Sequence, residues 1–196
     1  EPLLMAFGIQ EDNLDPTGLM AVGSRQENEI AAAAYIAETG RSWFESLEIA
    51  RSAFTDADRY LKNTAPTSPL FTGSLEVLKF LSEAGLKLGI LSADSTAGVE
   101  AFVTHAQLSD YIQLRMGVDG NLAKPDPRLF LQACQALGVN PSATLMVGDS
   151  QGDIEMARQG GAKGTIGICW GKPKAAHLEK ADVAIAQLDE IQIFKD

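Results

Sequence analysis

The chain has 196 residues, 45% of them hydrophobic and 21% charged, which suits one soluble domain with a full core, or a core with a smaller inserted domain. A formal charge of -10 argues against nucleic acid or an anionic membrane surface as partner, and no apolar run approaches the ~20 residues that cross a bilayer. Two cysteines, Cys134 in a helix-like stretch and Cys169 in a strand-like one, make no disulfide framework and fit reduced thiols of a cytoplasmic protein.

The chain opens "EPLLMAFG", with no initiator Met, no basic flank and no signal-type segment, and it reads as a polypeptide whose true beginning lies upstream. From Glu1 to about Thr64 there is no convincing strand. "RQENEIAAAAYIAETG" and "SWFESLEIARSAFTDADRYLKN" show helical spacing instead. In the second, Phe44, Leu47, Ile49, Ala50, Phe54, Ala57 and Leu61 recur at steps of three to four, and Trp43 and Phe44 read as core. Asp15-Pro16, Gly23-Ser24 and Gly40 are the breaks. Residues 1–66 therefore read as an all-helical domain, closed by the linker "TAPTSPLFTG".

Residues 67–196 have another rhythm. "SLEVLKFLSEAG" is a helix and "LKLGILS" a short apolar strand. "AGVEAFVTHA" is a helix and "YIQLRMG" a strand. "PRLFLQACQALG" and "ATLMVG" repeat the pair, as do "DIEMARQGG" and "KGTIGIC", before a last strand, "DVAIA". Helices alternating with brief apolar strands imply right-handed crossovers and a parallel sheet covered on both faces. The fold class is α/β, a doubly wound parallel sheet with a helical domain beside it.

In such sheets ligands bind beyond the carboxyl ends of the strands, and three strands here end in groups suited to phosphate. Ser92, followed by Ala93 and Asp94, offers a hydroxyl and turn amides near a helix start, though turn and cap duties alone would also explain these residues. Lys124 precedes Pro125-Asp126-Pro127, where Asp126 caps a helix with Pro127 at its first position. A cation there is unfavourable for the helix dipole and calls for an anionic partner. In "VGDSQGD", Asp149 follows a strand read as buried, and Asp153 falls in the next helical turn, where an acid is favoured in any case. Two hard oxygen ligands at such a turn suit Mg²⁺, which keeps several waters and is often shared with a phosphate.

A strand ending in Ser92, a Lys124 before a "KPDP" helix start, and "GDxxxD" from Gly148 to Asp153 together resemble the haloacid dehalogenase superfamily of phosphohydrolases. "PLFTGSLEVLKFLSEAGLKLGILS" and "CWGKPKAAHLEKADVAI" are similar to further stretches of that family, so the likeness covers about residues 66–190. It points to the branch of phosphoglycolate phosphatase and β-phosphoglucomutase, with the helical first domain as a cap. The resemblance implies a Mg²⁺-dependent phosphatase acting on a small phosphorylated metabolite. Ser92 and Ala93 would bind the phosphoryl group, Lys124 would neutralise it, and Asp149 and Asp153 would hold the metal. An aspartyl-phosphate would form on an Asp nucleophile, with a second Asp two residues on as acid/base. The family's first motif, "DxDGT" or "DxDGV" on an opening strand, is absent from these 196 residues, and "DNLDPTG" lacks the apolar strand to replace it. The expectation is that this strand lies upstream, that the sheet here has a gap in its ladder, and that the chain as written has no nucleophile.

Other readings are a phosphosugar mutase and, from another class, a binding or regulatory protein that kept the fold without catalysis. Dehalogenation is disfavoured because Mg²⁺ has no part in displacing halide. Response-regulator receivers carry their acids early in the chain and their lysine late, the reverse of this order. "GGAKGTIG" lacks GxGxxG spacing. Arg25, in "AVGSRQEN", is a candidate substrate ligand. Trp170 is expected to pack beside the last strands, and His105 and His177 show no pattern for metal or base chemistry. A monomer and a homodimer are both open.

Overall fold

The computed structural model describes residues 2–11, 13–64, 69–120, 122–170 and 176–194 and divides into two units, Glu1–Thr67 and Ser68–Asp196. The linker residues 65–68, the segment 171–175, Glu1 and the Asp12 of "DNLDPTG" lie outside the described residues, as does the side chain of Leu61.

In the first unit, α1 (Pro2–Ala6), β1 (Ile9–Gln10), β2 (Asn13–Leu14) and α2 (Leu19–Val22) lead into α3 (Arg25–Ala37) and α4 (Trp43–Thr64). Ser24 starts α3 with a reciprocal cap: its Oγ accepts from Glu27 N at 3.3 Å, and Glu27 Oε2 accepts from Ser24 N at 2.7 Å. α3 and α4 pack around Ala32, Ala33 and Ala50, with Phe7 edge-on to Phe54 at 6.5 Å. Two expectations are corrected here. A strand pair does occur, Ile9 opposite Leu14 and Gln10 opposite Asn13. Two residues per strand carry no alternation that a sequence pattern could reveal. Trp43 and Phe44, read as core, are 45% and 81% exposed. The stripe that α4 turns inward runs through Ser46, Leu47, Ala50 and Phe54, and Phe44 shares its side of the helix with exposed Glu48, Arg51 and Thr55.

The second unit alternates as its apolar rhythm dictates: α5 (Ser74–Glu83), β3 (Gly89–Leu91), α6 (Thr96–His105), β4 (Leu114–Met116), α7 (Pro127–Leu137), β5 (Leu145–Gly148), α8 (Gln151–Gln159), β6 (Gly164–Ile168) and β7 (Val183–Ile185). Every pairing is parallel, with Ile90 opposite Arg115, Val147 opposite Ile166 and Gly167 opposite Ala184. Asp126 caps α7, accepting from Arg128 N at 2.9 Å, with Pro127 at the first helical position and Gly138 ending the helix at φ 63°. Both cysteines are free and buried.

The sheet comes in two pieces, β3-β4 and β5-β6-β7. One core serves both: Leu129, Phe130 and Cys134 of α7 meet Met156 and Ala157 of α8, and Leu91, Met116 and Met146 of the two sheets pack on this cluster. Between β3 and β5 lies a cavity of about 340 Å³ lined by both strands. β5, read as a buried strand, exposes 55% of Leu145 and 37% of Val147. Strands of a doubly covered parallel sheet are normally hidden, whereas Leu145 and Val147, which share one face of β5, are left open, and among the described residues β5 pairs only with β6.

Candidate active site

The β5–α8 turn places Asp149 at the strand tip and starts α8 with Ser150, whose Oγ accepts from Asp153 N at 3.1 Å and donates to Asp153 Oδ2 at 2.7 Å. Asp153 thus closes a capping box. Gly148 is obligatory: a Cβ there would stand 2.4 Å from Asp153 Cβ. Lys124 Nζ lies 2.7 Å from Asp153 Oδ1, the two side chains being 14% and 6% exposed. Apart from this ammonium, Oδ1 has no hydrogen-bond partner among the described residues. Lys124 therefore has its anionic partner. The Lys124–Pro125 peptide is cis.

The carboxylate of Asp149 is exposed, while its carbonyl is held from behind. His177 Nε2 lies 3.0 Å from Asp149 O, and since a carbonyl only accepts, the contact requires a proton on Nε2. Sequence reasoning missed this role, because the two residues are 28 positions apart and His177 sits in no recognisable spacing.

Ser92 stands at the end of the other sheet, donating its amide to Met116 O at 3.0 Å and accepting at Oγ from Asp94 N at 3.2 Å. The loop it begins is braced by the loop after β4. Asp94 O accepts from Val118 N at 2.8 Å, Thr96 Oγ1 accepts from Gly117 N at 3.0 Å, and Asp119 Oδ1 accepts from Thr96 N at 2.9 Å. Thr96, through its side chain and then its amide, holds the Asp119 carboxyl below its ordinary pKa. Gly117 lets the loops touch: a Cβ on it would meet Ser95 C at 2.2 Å. Gly117 and Asp119 were also missed, for "MGVDG" reads as an ordinary turn.

Lys124, Asp149 and Asp153 are thus gathered at one strand end, whereas Ser92 and Ala93 sit across the gap at the end of β3. Arg25 is in the helical unit, its Nε on Glu29 Oε1 at 2.8 Å, its Nη2 on Asp58 Oδ2 at 2.9 Å and its guanidinium 4.9 Å from the Phe54 centroid. Hydrogen bonding to Asp58 leads the causes that raise its pKa. Trp170 stacks on Phe71 at 3.8 Å.

Among the described residues no group of three or more His, Cys, Asp or Glu side chains converges. Asp149 and Asp153 offer hard carboxylate oxygens of the kind Mg²⁺ takes beside water and phosphate, with Asp153 Oδ1 already facing the Lys124 ammonium.

A profile of the haloacid dehalogenase-like hydrolases matches residues 4–161. The chain belongs to this family. Within it, the chain is 36% identical over 110 residues to a phosphoglycolate phosphatase of Caulobacter vibrioides, covering 56% of this chain and 46% of that protein. It is 38% identical over 122 residues to an (S)-2-haloacid dehalogenase of a Pseudomonas species, covering 62% and 49%. Its fold is similar to a crystal structure of a putative haloacid dehalogenase-like hydrolase from Bacteroides fragilis, with TM-score 0.73, 24% identity, and 96% and 87% coverage of the two chains. The chain spans about half the length of these two curated relatives.

Proposed function

We propose that this chain forms most of a Mg²⁺-dependent phosphatase for a small phosphorylated metabolite, working through an aspartyl-phosphate. The observation that carries the reading is the buried Lys124–Asp153 pair beside the exposed Asp149 carboxylate at the end of β5. A lysine so placed meets charge on the phosphoryl oxygens and on an attacking carboxylate, where fixed positive groups lower the barrier most. Ser92 Oγ and the Ala93 amide would orient the phosphoryl group. Asp149 and Asp153 would hold Mg²⁺, which when bound supplies further positive charge to the transferring group. His177 keeps Asp149 in place through its carbonyl. The nucleophile and its partner acid are assigned to a strand outside these residues, and the helical unit would serve as the cap that selects the substrate.

The phosphoglycolate phosphatase relative supports this reaction class. The dehalogenase relative names the competing one, in which a metal has no task. With the opening strand restored, the protein is expected to hydrolyse small phosphomonoesters only with Mg²⁺, and Asp149→Asn to abolish turnover at unchanged stability. Equal turnover in excess EDTA, or halide release from 2-chloropropionate without phosphatase activity, would refute the proposal. Sustained conversion between sugar phosphates without net phosphate release would favour a mutase.

A further inference from the structure

We propose that His177 is a positioning residue for the cation site: its ring locks the peptide between Asp149 and Ser150, and this lock sets how tightly Asp149 takes a divalent cation. The cation rests on the phosphatase reading, whereas the lock rests on the geometry alone. The β5–β6 ladder ends with Gly148 opposite Gly167, so Asp149 is the first residue that the sheet does not hold. A carboxylate on a loose backbone loses freedom when it takes a cation, which weakens binding. Here that backbone freedom is already removed. The peptide between Asp149 and Ser150 is gripped at both ends: its carbonyl accepts from His177 Nε2 at 3.0 Å, and its N–H donates to Asp153 Oδ2 at 3.3 Å. A peptide unit is planar, so gripping both ends fixes ψ of Asp149 and the direction in which its side chain leaves the strand tip.

His177 stands on a firm base. It is the middle residue of a single 3-10 turn, Ala176–Leu178, and Leu178 beside it is buried with Ile154 of α8 and with Cys169, which follows β6. Glu179 N donates to Ala176 O at 3.2 Å and Ala181 N to Leu178 O at 3.0 Å, which secures the turn on its far side. The ring is thus tied to the packing of α8, the helix that carries Asp153. A core role does not account for it, because the ring is only half-buried and reaches across 28 residues to one backbone oxygen at the strand tip. Groups one contact removed from a metal typically carry roughly ten- to hundredfold in affinity. His177 holds backbone, and Asp153 still holds the other end of the peptide, so an effect at the lower end, about tenfold, is expected.

The test uses the full chain with Mn²⁺, a paramagnetic substitute for Mg²⁺, and three variants. His177→Phe keeps a ring without the donor, His177→Gln returns an N–H near the place of Nε2, and Asp149→Asn removes the ligand itself. The Mn²⁺ Kd, read by electron paramagnetic resonance, is expected to rise about tenfold in His177→Phe and to return to within about twofold of the parent in His177→Gln. Without metal, hydrogen exchange at the Ser150 amide should quicken in His177→Phe and not in His177→Gln. The melting temperature of His177→Phe should stay within about 4 °C of the parent, the loss of one partly exposed hydrogen bond. Long-range proton–nitrogen NMR of the metal-free parent should find the His177 proton on Nε2, and a proton on Nδ1 alone would overturn the lock whatever the variants do. Equal Mn²⁺ affinity of parent and His177→Phe, with binding lost in Asp149→Asn, would refute the proposal and leave the cation site standing; a lowered melting temperature with unchanged affinity would refute it in the same way. Equal loss of affinity in His177→Phe and His177→Gln would exclude the donor. Mn²⁺ binding untouched by Asp149→Asn would instead bring down the metal reading, and the affinity claim with it, even where Ser150 exchange confirms the lock.

Discussion

Replacing Lys124 by Met keeps the length of the side chain and removes the ammonium that faces Asp153 at 2.7 Å. At an effective dielectric of about 20, two unit charges at that separation attract by roughly 6 kcal/mol. Desolvation of both groups offsets much of this. The measurable cost is that of leaving one buried charge alone, about 3–5 kcal/mol. Asp153 Oδ2 retains Ser150 Oγ at 2.7 Å and Ser150 N at 3.3 Å, which places the expectation at the lower end, about 3 kcal/mol. That is a large share of a domain stability of roughly 5–15 kcal/mol. The assay is urea unfolding of Lys124→Met, Asp153→Asn and the double variant. The double variant should be less destabilised than the sum of the single ones by at least about 1.5 kcal/mol, because the second change removes a charge already orphaned by the first. Additivity within about 0.5 kcal/mol would refute the coupling. It would also leave Lys124 without the structural partner that fixes its position at the end of β5. In the restored enzyme the same substitution should lower kcat by about 10²–10³, the scale of a lost charge-stabilising donor.

Gly117→Ala should displace the Ser92–Thr96 loop, since its Cβ would collide with backbone at 2.2–2.3 Å. Phosphate affinity should fall at least tenfold, and unchanged affinity would dissociate the two loops. Asp126 is held to a pKa of about 2, mainly by the Arg128 side chain and then by its amide. A depressed carboxylate stabilises above its unfolded value of ~3.9 and loses that contribution as pH falls toward the folded value. The stability gap between the parent and Asp126→Ala should therefore narrow between about pH 4 and 2, and a gap constant over that window would exclude the linkage. Arg25→Ala removes two exposed ion pairs and a cation–π contact, together about 1 kcal/mol. A melting decrease of about 2–4 °C is expected. A tenfold rise in KM at unchanged melting temperature would instead assign Arg25 to substrate.

The alternation of helix and strand was legible because the punctuation is local: Asp126-Pro127 opens α7, Gly138 closes it, and Gly148 with Ser150 marks the β5–α8 turn. The same locality made Lys124, Asp149 and Asp153 stand out. What escaped depends on chain segments meeting from a distance. The Asp149 carbonyl meets His177, Thr96 meets Asp119, and Gly117 touches Ser95 only because adjacent strand ends converge. Trp43 and Phe44 misled for a different reason. Helical spacing gives the angle of a side chain around α4 but not whether a neighbour reaches that turn. The exposure of β5 was illegible too, since "TLMV" has the same composition whether or not both faces of the strand are covered.

The two tryptophans stand in different surroundings. Trp43 is 45% exposed, whereas Trp170 lies flat against Phe71 at an interplanar angle of 13°. Unfolding breaks the Trp170–Phe71 stack, whereas Trp43 is already nearly half exposed in the fold. Intrinsic fluorescence of this protein, above all in a Trp43→Phe variant, is thus a built-in optical gauge of the α/β unit.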